Sequence, residues 1–279
     1  MAAPLFLLKQ QLVDVCHRVY AKGWVASNDG NVSARIDRDR VLCTPTGLSK
    51  GLVKPDDLCV VDLQGNKLDG PAHRKPTSEI KVHLMAFQER PELGACVHAH
   101  PPHATGYALA GLDLAECKLP EVIIALGSIP LTEYGLPGTD ELSDKMRQHI
   151  QQSDAFLMEL HGVLTVGRDP LDAYFKMETV EHFAHIDFIA RQLGGGAHRF
   201  SKERAEELLA ARARYGVTTP NIGCRAEGGY AFPPGMKPDD VPATALGADG
   251  DGQPKLDTDK LIEEVTKRVL AALKGQSTS

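Results

Sequence analysis

The sequence predicts an α/β fold in which a mixed, largely antiparallel central sheet is sandwiched by helices. Three observations carry that expectation. Strand-like runs follow one another with turns between them instead of alternating strictly with helices. A Gly65-Asn66 pair between Val60-Val61-Asp62-Leu63 and Lys67-Leu68 marks a hairpin. Helical periodicity recurs in segments long enough to cover a sheet.

The elements come in this order. Helical spacing of apolar residues occupies 5–20, 78–89, 140–153, 171–192 and 201–215. Strand-like runs occupy 31–36, 41–44, 58–61, 95–99, 155–159 and 162–166. The opening apolar stretch lacks a basic region and a small-residue cleavage site, so it reads as the first turns of an amphipathic helix, not a signal peptide. Composition changes after Pro220. Residues 1–220 read as the catalytic domain. Residues 221–257, with Pro-Pro-Gly and Gly-Ala-Asp-Gly-Asp-Gly, read as a flexible linker. Residues 258–274 read as an amphipathic helix, with Leu261, Val265, Val269 and Leu273 every fourth residue.

Composition excludes several partners. A net charge of −6 leaves no basic field for nucleic acid or for an anionic membrane, so any phosphate site must be built locally from a few donors. No run of apolar residues is long enough to span a bilayer. Cys16, Cys43, Cys59, Cys96, Cys117 and Cys224 are scattered with no Cys-x-x-Cys pair, so no disulfide framework is expected. Most should be small buried hydrophobes in a reducing compartment, and the cytoplasm is the expected location.

The sharpest chemical signal is Val97-His98-Ala99-His100-Pro101-Pro102-His103. On a strand, side chains two apart share a face, so His98 and His100 converge. Alone, such a pair also suits the exposed face of a strand. His161, at the Gly162 break between two apolar runs, is positioned to supply a third imidazole. Three neutral imidazoles leave zinc an open position, as catalytic sites require. Lys75-Pro76-Thr77-Ser78-Glu79 opens a helix, with Thr77 or Ser78 as N-cap and Glu79 in the first turn. By itself that reads first as an ordinary capped helix; the same geometry also suits an oxyanion held by hydroxyls and free N–H groups. Asp29-Gly30-Asn31-Val32-Ser33-Ala34-Arg35 and Thr44-Pro45-Thr46-Gly47 are turn-rich junctions with further donors.

Together and in this order, these segments resemble the class II aldolase/adducin family, within it the L-fuculose-1-phosphate aldolase type, from about Leu5 to Pro220. The resemblance implies a three-layer fold, and a homotetramer with active sites at subunit contacts. It implies zinc held by His98, His100 and His161. Phosphate would be held by Gly30, Asn31, Thr46, Gly47, Thr77 and Ser78, with Glu79 as catalytic acid/base. The implied substrate is a small sugar phosphate such as L-fuculose or L-rhamnulose 1-phosphate, cleaved to dihydroxyacetone phosphate and lactaldehyde. The family type carries a tyrosine that protonates the aldehyde-side oxygen; the matching stretch here, Leu119-Pro120-Glu121-Val122-Ile123-Ile124, has none.

Rival readings on the same scaffold are a pentulose-phosphate 4-epimerase, which carries aspartate where this chain has Glu79, and a 3-keto sugar-acid phosphate decarboxylase. An adducin-like binding head lacks the metal ligands that are present here. Finally, residues 258–274 behind their linker resemble the encapsulation peptides that dock enzymes on bacterial microcompartment shell proteins.

Overall fold

The structure, a computed structural model, describes residues 4–194 and 198–241. Its central sheet has eight strands: β1 (Asn31–Arg35), β2 (Arg40–Cys43), β3 (Cys59–Asp62), β4 (Lys67–Asp69), β5 (Ala95–Ala99), β6 (Leu131–Thr132), β7 (Ala155–Met158) and β8 (Gly162–Gly167). They lie in the order β4-β3-β2-β1-β5-β8-β7-β6. Every neighbouring pair is antiparallel except β6 with β7. The hairpin expected at Gly65-Asn66 joins β3 to β4, where Asp62 Oδ1 accepts from the N–H groups of Gln64 and Asn66.

Both faces of the sheet are covered, which is why its inner strands read as continuous apolar runs. On one face Val32, Ala34, Val97, Ala99 and Val163 pack against α1 (Leu5–Ala21), α3 (Pro102–Leu109) and α6 (Pro170–Gln192). On the other, Val41, Cys43, Cys96, Phe156, Leu164 and Val166 pack against α2 (Ile80–Glu89) and α5 (Asp140–Ile150). The mixed, helix-sandwiched sheet is thus as the sequence predicts. Periodicity misses α3 and α4 (Pro120–Ala125), because both are short and open on proline.

Two expectations are corrected. The linker reading from residue 221 does not hold over its first residues. After α7 (Lys202–Ala211) and a 3-10 turn at Arg212–Tyr215, the hairpin of β9 (Cys224–Ala226) and β10 (Gly229–Ala231) folds into a third apolar cluster with Cys117, Ile123, Ala205 and Leu209. Gly228 and Gly229, with φ of 84° and 136°, make its turn, a strand reversal that lies before the Pro-Pro-Gly motif on which the linker reading rests. Linker residues 242–257 and the helix expected at 258–274 lie outside the described residues.

The second correction concerns cysteine. Cys117 and Cys224 form a disulfide across a sequence separation of 107, a pairing that no local spacing signals. Cys16, Cys43, Cys59 and Cys96 are buried free thiols, as expected. Among the described residues, no helix is long and apolar enough to cross a membrane.

Candidate metal centre

Strand period and one tight turn bring the three histidines together. His98 is the penultimate residue of β5, and His100 follows two positions on, with its N–H bonded to Trp24 O at 2.8 Å. His161 sits in the turn between β7 and β8, where Leu160 takes a left-handed φ of 56° and His161 N donates to Met158 O at 3.0 Å. Gly162 is required next to it: a Cβ there would lie 2.5 Å from His100 Cδ2 and 2.8 Å from Ala99 O. One ligating nitrogen from each of His98, His100 and His161 lies within 4.8 Å of the others, a group that could hold a metal ion.

The hydrogen bonds fix which nitrogen faces inward. His98 Nδ1 donates to Val163 O at 2.9 Å, so its Nε2 carries the lone pair. That Nε2 lies 3.2 Å from His100 Nε2 and 3.3 Å from Glu79 Oε2. Burial pushes the His98 imidazole down to about 3, so it is neutral at ordinary pH. A bare lone pair facing a carboxylate oxygen is favourable only with a cation between them. The donor set therefore fits a divalent metal with mixed nitrogen and oxygen ligands, such as zinc.

Glu79 is placed by the start of α2. It occupies the N-cap position itself rather than the first helical turn that the sequence suggested; Thr77 Oγ1 accepts from its N–H at 3.4 Å. The chain bends here because Thr77 N is drawn to Thr44 O at 3.0 Å, so the helix starts only at Ile80. Glu79 Oε1 lies 3.2 Å from His161 Nε2, and Oε2 accepts from Asn31 Nδ2 at 2.7 Å. Burial raises the Glu79 carboxyl, but His98, His161 and the Asn31 amide outweigh it and hold the group below the usual carboxylate range. His161 is lowered by burial, which keeps it available as a neutral ligand.

The turns expected to hold phosphate also meet here. Thr46 N donates to Lys75 O at 3.0 Å, which sets the 44–47 turn against the segment carrying Thr77 and Ser78. Gly30 adopts φ 70°, and a Cβ on it would lie 2.9 Å from His98 O, so this turn presses on the strand that carries His98. The Thr46 and Ser78 side chains are exposed, whereas Asn31 and Thr77 are buried. Sequence reading groups Asn31 with the phosphate-holding residues, and in the structure its side-chain amide donates to Glu79 Oε2. It also missed Lys50, a buried cation that ties these turns together by donating to Asn28 O at 3.0 Å and Leu48 O at 2.7 Å. His103 is not part of the centre; it starts α3 and pairs with Glu181 at 2.8 Å.

Comparison with known proteins bears on the same residues. The family model described as Class II Aldolase and Adducin N-terminal domain matches residues 10–188. An L-fuculose phosphate aldolase of Methanococcus maripaludis is 34% identical over 181 residues, covering 65% of this chain and 96% of that one. A 3-oxo-tetronate 4-phosphate decarboxylase of Haemophilus influenzae is 33% identical over 184 residues, covering 64% and 86%. A solved structure of an L-fuculose 1-phosphate aldolase superposes with a TM-score of 0.69 at 27% identity, covering 77% of this chain and 98% of that one. With the family match spanning most of the chain and the histidine cluster at its centre, this protein belongs to the class II aldolase and adducin family and is one of its enzymes.

Proposed function

We propose that the chain is a zinc-dependent aldolase that splits a 6-deoxyketose 1-phosphate, such as L-fuculose or L-rhamnulose 1-phosphate, into dihydroxyacetone phosphate and lactaldehyde. The observation that carries this reading is the Glu79 carboxylate, one oxygen 3.3 Å from His98 Nε2 and the other 3.2 Å from His161 Nε2. His98, His100 and His161 would hold the metal, which supplies Lewis-acid polarisation of the ketose carbonyl when bound. In the condensation direction Glu79, as carboxylate, takes a proton from the carbon beside that carbonyl. In cleavage the same carboxyl returns it to the carbon released from the broken bond. Asn31 orients Glu79 for both steps. Gly30, Thr46, Gly47, Thr77 and Ser78 anchor the phosphate, with Asn31 beside them, and so fix the reacting carbon against Glu79.

A second reading, decarboxylation of a 3-keto sugar-acid phosphate, is favoured by one observation. The start of α4 carries no tyrosine, and loss of carbon dioxide needs no donor for an aldehyde-side oxygen. The relative named as a 3-oxo-tetronate 4-phosphate decarboxylase points the same way. Product analysis decides between them. The zinc-loaded enzyme should release dihydroxyacetone phosphate from ketose 1-phosphates. Carbon dioxide release from a 3-oxo-tetronate 4-phosphate, with no cleavage of any ketose 1-phosphate, would establish the second reading instead.

Two further parts of the proposal concern assembly. A homotetramer with active sites at subunit contacts accounts for Leu109, Tyr134, Leu136 and Leu160, large side chains left exposed in the single chain. Light scattering on the purified protein tests it. Residues 258–274 would target the enzyme to microcompartment shell proteins, since their sequence repeats apolar residues every fourth position with acids first and bases last. Residues 234–279 fused to a fluorescent protein should co-localise with shell assemblies; a diffuse fusion contradicts this.

A further inference from the structure

Two cross-strand pairs lie side by side beneath α2. In the β1–β5 register Asn31 stands opposite His98, and Ser33 stands opposite Cys96. At the start of α2 Glu79 accepts from Asn31 Nδ2 at 2.7 Å, and four residues on His83 Nδ1 lies 2.6 Å from Ser33 Oγ. Two residues of antiparallel strand advance about 6.8 Å, and four residues of helix about 6 Å. The two contacts are therefore successive rungs between the same strand and the same helix.

The second rung has no access to solvent. Ser33 and Cys96 are fully buried and His83 is 1% exposed, among Cys43, Val82, Met85 and Val166. Among the described residues, His83 Nε2 has no hydrogen-bond partner. An imidazole buried with one nitrogen unpaired is less favourable than an apolar pair of the same shape. Apolar contact, however, is non-directional and tolerates sliding of a helix over a sheet, whereas a hydrogen bond fixes one alignment. Burial pushes the His83 imidazole down to about 4, so the ring stays neutral and the rung unchanged through the neutral range.

We propose that Ser33 and His83 are positioning residues: they pin α2 against β1 so that the Glu79 carboxylate stays within reach of His98 and His161. The inference rests on the reading of Glu79 as the proton carrier, and the pair acts through Glu79 without touching substrate.

The test uses the zinc-loaded full chain with Ser33→Ala, His83→Phe and His83→Gln, alone and combined with Glu79→Gln. A misplacement of about 1 Å costs on the order of 10²-fold in rate, so Ser33→Ala and His83→Phe should lower kcat by about 10- to 100-fold. KM should stay within about threefold, since the phosphate anchors are untouched. His83→Gln, whose amide can still bond Ser33, should recover most of the rate. In the Glu79→Gln background the losses should vanish, because the pin would then hold nothing that reacts. A crystal structure of Ser33→Ala should show the Glu79 carboxylate displaced from His98. The proposal is overturned if kcat is unchanged while thermal stability drops, if the losses multiply with that of Glu79→Gln, or if the carboxylate does not move. Should Glu79→Gln alone retain full activity, the proton-carrier reading fails, and the crystal structure still decides whether the pin exists.

Discussion

The side-chain amide of Asn31 donates to Glu79 Oε2 at 2.7 Å from the strand position directly opposite His98. One strand residue thus links the strand that carries His98 to the proposed proton carrier. A hydrogen bond to a charged group contributes about 1.5–3 kcal/mol. Spent on orientation, that corresponds to roughly 10- to 100-fold in kcat for Asn31→Ala, with a folded circular-dichroism spectrum. Asn31→Asp should be worse than Asn31→Ala, because it sets a second carboxylate against Glu79. Equal steady-state rates for the two variants would show that Asn31 serves only the backbone turn.

Gly162→Ala should weaken metal binding without unfolding the chain. Its Cβ would occupy space now filled by His100 Cδ2 at 2.5 Å and must turn that ring. Disturbing a ligand through its surroundings typically costs about 10- to 100-fold in affinity. Competition for zinc against a chromophoric chelator reads this directly. Wild-type affinity would mean that His100 is free to move or does not ligate.

The metal-free protein should lose stability on mild acidification, partly through His83. Its folded pKa of about 4 lies below the unfolded 6.5, so the unfolded chain binds the proton first and stability falls as pH drops through that window. The sum is about 2 kcal/mol lost by pH 5 from this residue. Urea unfolding of wild type and His83→Gln at pH 7 and pH 5 should show that much less pH dependence in the variant. Parallel pH dependences would place the His83 ring in contact with water.

The Cys117–Cys224 disulfide joins the segment before α4 to the β9–β10 hairpin. Cys224→Ser should lower the unfolding free energy by about 2–5 kcal/mol. Because both cysteines lie outside the cluster of His98, His100 and His161, kcat should change by less than about twofold. Limited proteolysis should then cut near Gly228-Gly229 in the variant first. An unchanged stability would show that the third apolar cluster holds the hairpin alone.

Much of the centre was legible because it rests on local geometry. Period two on β5 places His98 and His100, and a glycine at a strand break places His161. What was illegible depends on residues distant in sequence. Glu79 moved to the N-cap because Thr77 N bonds to Thr44 O, a constraint that helix rules do not see. The hydrogen bond from the Asn31 amide to Glu79 has no local signal, because the two residues lie 48 positions apart. The β9–β10 hairpin falls on the linker side of the boundary at Pro220 because its strands are only three residues long, and its few apolar residues are buried by Ile123 and Leu209 from elsewhere.

The central claim is that Glu79 carries a proton in a metal-dependent carbon–carbon cleavage. The direct measurement is dihydroxyacetone phosphate release from L-fuculose 1-phosphate by wild type and Glu79→Gln, each zinc-loaded and chelator-treated. The account predicts turnover by zinc-loaded wild type only, a fall of about 10²–10⁴-fold in Glu79→Gln with phosphate-ligand affinity retained, and none after chelation, with His100→Ala equally inactive yet folded. A Glu79→Gln enzyme within about tenfold of wild type, or full activity in chelator, would contradict it.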